Sequence, residues 1–198
     1  MIIGITGKSG VGKSTISDEF AKKYGFIHVD IDEIGHEVLA LPHIRDLLVD
    51  AYGETILNES AVDRKKLGDL VFTGRHLYPE CTAKIWDEMT ARIDAILSDD
   101  SRNYILDWVL LPKTKYWEQI CDYTVVVHAS NENRRKKFVI IRDDITEDYL
   151  NKRDSMCPHD IYLQNASNRI HVSNGYLDFW CAEACTYIYN AIMQEANI

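Results

Sequence analysis

Basic charge is in short supply in this chain. Twenty-two Lys and Arg stand against 31 Asp and Glu, giving a net charge of −9 over 198 residues. A broad nucleic-acid surface needs a basic face, so that class of partner is not expected and only local basic pockets remain open. Cysteine is scarce too. The five lie scattered at 81, 121, 157, 181 and 185 with no Cys-x-x-Cys pair, so neither a disulfide framework nor a zinc ribbon is indicated. Cys181 and Cys185 fall one helical turn apart, but no histidine at ligand spacing accompanies them. No apolar run reaches the length of a membrane span. The opening run MIIGIT breaks at once into glycines, so no secretory leader is expected. No Pro/Gly/Ser-rich linker and no repeat divides the chain. The expectation is a single domain over 1–198, reduced and cytoplasmic, a monomer or weak oligomer with no nucleic-acid or membrane partner.

Short apolar segments alternate with helical ones. Met1 to Thr6, Phe26 to Asp30, Tyr104 to Leu111, Tyr123 to His128 and Ile170 to Val172 read as strands, the third running into a loop. Helical periodicity covers Lys13 to Tyr24, Ile31 to Ala40, Pro42 to Tyr52, Asp63 to Phe72, Pro79 to Leu97, Asn131 to Arg142, Thr146 to Arg153 and Tyr176 to Gln194. Continuous apolar strands separated by helices imply an α/β fold with a parallel sheet covered on both faces. The helical block of about 42–98 reads as an insertion on that domain.

The densest motif is Gly7-Lys8-Ser9-Gly10-Val11-Gly12-Lys13-Ser14-Thr15. It fits G-x-x-x-x-G-K-[ST], and it follows a strand and opens a helix, as a phosphate loop must. Glycines let the backbone turn so that successive N–H groups aim at phosphate oxygens, and the helix N-terminus adds its positive end. In such loops the lysine, here Lys13, meets the β- and γ-phosphates, and the hydroxyl, here Ser14, is offered to Mg²⁺. The pattern points to ATP with Mg²⁺ and leaves the acceptor open.

Two carboxylates follow in HVDIDEIGHEVL, just after the second strand. Ligands of open parallel sheets gather at the carboxyl ends of strands. Asp32 reads as the group that orients an acceptor hydroxyl and takes its proton. Asp30 reads equally as a substrate-side carboxylate or as the N-cap of the next helix. Either carboxylate could serve the metal through water.

GKSGVGKST, DIDEIGHEVL, VDRKKLGDLVF and RDDITEDYL, in that order and at those spacings, resemble the dephospho-coenzyme A kinase family over nearly the whole chain. The resemblance implies a three-layer P-loop kinase fold with a five-stranded parallel sheet in the order 2-3-1-4-5. It also implies transfer of the ATP γ-phosphate to the ribose 3′-hydroxyl of dephospho-CoA, the last step of coenzyme A synthesis. By the same resemblance Asp32 matches the catalytic carboxylate and His36 faces the substrate. Arg142 meets the phosphates from a lid of about 142–169. The chain departs from the family pattern in the lid, where Cys157 stands at the place of a usual Gln and Asp160 at that of a common basic residue, and at two acceptor-side positions. Tyr78-Pro79 stands where a His-Pro pair is usual, and Lys113 where an acidic residue is usual. Two other readings therefore stay open: a nucleoside or nucleoside-monophosphate kinase, and a nucleotide-binding regulatory protein without transferase activity.

The basic run Arg134, Arg135, Lys136, Lys137 reads chiefly as a solvated helix face, with Arg142 beyond it as the arginine for the transferred phosphoryl group.

Overall fold

The computed structural model describes residues 1–72, 77–111, 120–155, 169–175 and 180–195. The chain forms two compact units, Met1–Asp30 with Asp100–Ile198, and Ile31–Asp99.

The first unit is built on five parallel strands: β1 (Ile2–Thr6), β2 (Ile27–Asp30), β5 (Tyr104–Asp107), β6 (Tyr123–Ala129) and β7 (Arg169–Asn174). They run β2-β5-β1-β6-β7 across the sheet. Numbered among themselves, that is second, third, first, fourth, fifth; a small hairpin in the other unit takes the labels β3 and β4. Every pairing is parallel, as expected where helices connect successive strands. The register sets Ile5 and Asp30 on either side of Asp107, so the carboxyl ends of β2, β5 and β1 share one edge. Helix α1 (Lys13–Tyr24) packs on β5 and on the closing helix α8 (Trp180–Glu195). Ile3, Ile5, Phe20, Val125, Cys185 and Ile188 sit within that core, each 0% exposed. Burying such an aliphatic side chain contributes about 1.5–3 kcal/mol. The stacked Tyr24 and Tyr189 rings, 4.2 Å apart at 3°, extend the packing to the ends of both helices. Helices α6 (Glu132–Asp143) and α7 (Glu147–Ser155) pack against one another.

The second unit holds α2 (Ile31–Leu39), α3 (Pro42–Tyr52), a 3₁₀ turn (Glu54–Ile56), a hairpin of β3 (Leu57–Asn58) and β4 (Ala61–Val62), α4 (Arg64–Phe72) and α5 (Pro79–Ile96). The proline at the first turn of α3 and again of α5 is pre-set in φ and loses no helical hydrogen bond there. α2 and α3 both pack on α5. Ile34, Val38, Ile44, Leu48, Met89 and Ile93 are buried.

The α/β class with a parallel sheet is the one the alternation of segments implied, and most boundaries agree within two residues. The differences are local. The strand read over Tyr104 to Leu111 stops at Asp107. The connection between α3 and α4, read as irregular, contains the short hairpin, whose two-residue strands are too brief for any periodicity to register. Residues 176–179 of the stretch expected to be helical, and most of the expected lid, 156–168, lie outside the described residues, as does Lys113. Among the described residues no helix is long and apolar enough to cross a membrane.

Candidate functional site: the loop between β1 and α1

Residues 7–12 carry the chain from the carboxyl end of β1 into α1. Two glycines there are required by geometry. Gly12 has φ 94° and would set a Cβ against the Trp180 ring and the Asn174 amide. Gly10 has φ 80° and would set one into Val139. A β-carbon is disfavoured at these angles and has no room at either position. The Asn174 side chain donates to the Val11 carbonyl at 2.9 Å, which ties the end of β7 to the loop.

Lys13 is the first residue of α1 and only 9% exposed. Ser14 follows, exposed at the helix start, and its hydroxyl donates to Asp107 Oδ2 at 2.6 Å. Asp107 ends β5 beside the loop and is 3% exposed. Burial pushes its carboxyl upward. The nearby His28, the charge of Lys13 and the Ser14 hydroxyl outweigh that and hold it below the usual carboxylate range. His28 lies between two acids. Nδ1 is 2.7 Å from Asp18 Oδ1, and Nε2 is 3.8 Å from Asp107 Oδ2, an ion-pair contact too long for a hydrogen bond. Burial pulls its pKa down; Asp107 and Asp18 together raise it above the usual value.

Asp107 was not singled out by the sequence reading. The signal was present in YILD: an apolar strand closing on an acid, at the strand edge where ligands gather. Asp30 shares this edge, exposed and in register with Asp107.

The loop also meets α6, against which α7 packs. Arg142 Nη2 donates to the Ser9 hydroxyl at 3.1 Å and grips Asp143 through Nε at 2.6 Å. Asp143 also accepts from Arg153 at 3.0 Å. Burial pushes the Asp143 carboxyl up, and the two arginines more than offset it, so its pKa lies low. Lys8 Nζ stands 3.6 Å from Glu132. The reading of the basic run as a solvated face needs correction at one position. Arg135 is 0% exposed, because it falls one turn before the buried Val139 on the inward side of α6.

The remaining expected residues belong to the second unit. Asp32 lies exposed in the first turn of α2, and His36 faces Glu33 from the next turn with Nδ1 3.2 Å from its carboxylate. Tyr78 precedes α5, 51% exposed. Its ring stacks on Tyr52 at 5.2 Å, and its N–H donates to the Tyr52 hydroxyl at 2.6 Å.

A glycine loop between a buried strand and a helix, a buried lysine, and a hydroxyl on a strand-end carboxylate define a P-loop nucleotide-binding phosphotransferase. Comparison with known proteins makes this particular. The family description of dephospho-CoA kinases matches residues 1–171. The dephospho-CoA kinase of Borreliella burgdorferi is 30% identical over 154 residues, covering 77% of this chain and 74% of that protein. Among solved structures, TT1252 from Thermus thermophilus superimposes with a TM-score of 0.75 at 23% identity, covering 98% of this chain and 97% of that one. The dephospho-CoA kinase of Campylobacter jejuni gives 0.61 at 23% identity, covering 100% and 98%. The chain belongs to the dephospho-CoA kinase family, whose members are phosphotransferases that use ATP as phosphate donor.

Proposed function

We propose that this chain transfers the γ-phosphate of ATP to the ribose 3′-hydroxyl of dephospho-CoA, a small-molecule acceptor, without nucleic-acid or membrane partners. The observation that carries the reading is the Ser14 hydroxyl on Asp107 at 2.6 Å, beside the buried Lys13, in a chain matched by the family over 1–171. The backbone of Gly7 to Thr15 receives the phosphates, and Lys13 compensates charge on the β- and γ-oxygens as the bond breaks. A hydroxyl beside an ionised carboxylate is a hard-oxygen donor set and fits Mg²⁺, which keeps several waters and shares the phosphates. Ser14 and Asp107 would hold the ion directly or through water, with Asp30 as an outer ligand. Bound Mg²⁺ neutralises charge on the β- and γ-oxygens. Asp32 orients the acceptor hydroxyl and takes its proton. His36, Tyr78 and Lys113 contact the acceptor, and Arg142 meets the transferred phosphoryl group from the lid. The helical block of about 42–98 carries the acceptor side.

The test is to incubate the protein with ATP and Mg²⁺ and a panel of dephospho-CoA, nucleosides and nucleoside monophosphates, then identify the product by mass. Dephospho-CoA is expected to gain one phosphoryl group. Selective phosphorylation of a nucleoside or its monophosphate would reassign the acceptor, and ATP bound with no transfer would leave a regulatory protein.

A further inference from the structure

Arg135 is the largest fully buried side chain of the described protein, and nothing in the proposed chemistry uses it. Four of the five N–H donors of its guanidinium are engaged. Nε and Nη2 donate to the two carboxylate oxygens of Glu132 at 2.8 and 2.6 Å. Nη2 also donates to Asp154 on α7. Nη1 donates to the Ser9 carbonyl at 2.8 Å, 126 residues away along the chain. Burial alone would lower its pKa; the two carboxylates raise it instead. A cation so enclosed, with its charge met by two carboxylates, is not placed to bind a phosphate itself.

What it holds is a peptide plane. In a trans peptide the C=O and the following N–H point in opposite directions, so a Ser9 carbonyl turned to Arg135 turns the Gly10 N–H away from it. Arg135 lies on the α6 side of the loop, where Gly10 also abuts Val139 and Phe138 and Lys8 reaches Glu132. The Gly10 N–H therefore faces away from α6. We propose that Arg135 is a positioning residue for phosphate binding: its rigid fork, braced by Glu132 and by Asp154, fixes the Ser9–Gly10 peptide so that the Gly10 N–H is aimed at the phosphates. A planar guanidinium sets direction as well as charge, which a lysine ammonium does not. Asp154 also makes the position of α7 part of that brace.

This inference rests on nucleotide binding at the loop, and its test separates the two. The ¹⁵N-labelled full chain is titrated with ADP and Mg²⁺ while the Gly10 amide resonance is followed, with thermal unfolding recorded alongside. In the wild type the Gly10 proton moves downfield as it meets a phosphate oxygen. Arg135→Lys, which keeps the charge, weakens ADP binding about tenfold, the scale of one hydrogen bond to a charged group, and the Gly10 shift is lost. Glu132→Gln, at a half-exposed position that tolerates change, weakens ADP binding about threefold through a looser fork. Lys136→Ala removes a contact between α6 and Asn151 on α7 and leaves ADP binding unchanged. An Arg135→Lys protein that melts earlier yet binds ADP with wild-type affinity and the wild-type Gly10 shift overturns the proposal. If Arg135→Lys does not fold, unchanged ADP affinity and Gly10 shift in Glu132→Gln overturn it equally. Absence of any ADP response in the wild type refutes nucleotide binding itself.

Discussion

Lys13 and Arg135 are both buried cations against the same loop, and they are buried on opposite terms. Arg135 is enclosed by two carboxylates and a carbonyl. Lys13 is 9% exposed, and among the described residues it makes no ion pair within contact distance; its charge is felt at Asp107. A buried charge without a partner is costly. The fold tolerates it at Lys13 because a phosphate completes the site, whereas Arg135 is complete without a ligand. A cation's role at this loop therefore follows from what already neutralises it.

Breaking the open side of this comparison gives the largest effect. Lys13→Ala should reduce phosphoryl transfer to background, since a methyl group cannot compensate charge on the β- and γ-oxygens; a coupled ADP-release assay reads this. Next comes Asp32→Asn, which keeps shape and loses the proton acceptor. It should lower kcat by roughly 10²–10⁴ while ATP affinity, measured by calorimetry, stays near wild type. If Asp30→Asn is inactive and Asp32→Asn is not, the base is Asp30. Asp107→Asn should weaken Mg²⁺ activation by roughly 10–100-fold, the usual cost of a lost ligand or its support. Excess Mg²⁺ should recover part of the rate.

The closed side should answer in stability first. Arg135→Met leaves Asp154 without its cation and Glu132 with Lys8 alone, and should cost about 2–3 kcal/mol in denaturant unfolding, less than a wholly enclosed pair because Glu132 is partly solvated. The smallest effect is on pH dependence. The hydrogen bond from Arg135 holds the Glu132 carboxyl below its ordinary value of 4.5, against an opposing push from burial. A depressed carboxyl stabilises the fold above the unfolded pKa and loses that contribution as pH falls through the folded value. The Tm gap between wild type and Glu132→Gln should therefore be constant from neutral pH to about pH 5 and close below it. A gap that widened in acid would contradict the pairing.

The sheet and the loop were legible in the sequence because both are written locally. A β-branched run with a glycine break specifies β1 and its turn, and alternation with helical segments specifies the parallel sheet. Asp107 was harder. Its meaning depends on β5 lying next to β1, a long-range pairing that YILD does not encode by itself. Arg135 was read wrongly for a related reason. Four consecutive basic residues look solvated, and only the burial of Val139 one turn later shows which of them faces inward. The acceptor-side departures at Tyr78 and Lys113 were visible as residues but not as geometry. Tyr78 is now seen stacked on Tyr52, a contact 26 residues apart that no local pattern announces.

Thermal unfolding of wild type and Lys13→Ala, each with and without ATP and Mg²⁺, tests most directly whether an unpaired buried cation marks the ligand side of the loop. A ligand that binds only the folded state raises Tm in proportion to the logarithm of its excess over Kd. Unliganded Lys13→Ala should melt at or above the wild-type temperature, because a buried cation without an ion pair in contact has been removed, and ATP should raise Tm in the wild type alone. A Lys13→Ala protein that melts lower than wild type and is still stabilised by ATP to the same extent would contradict it.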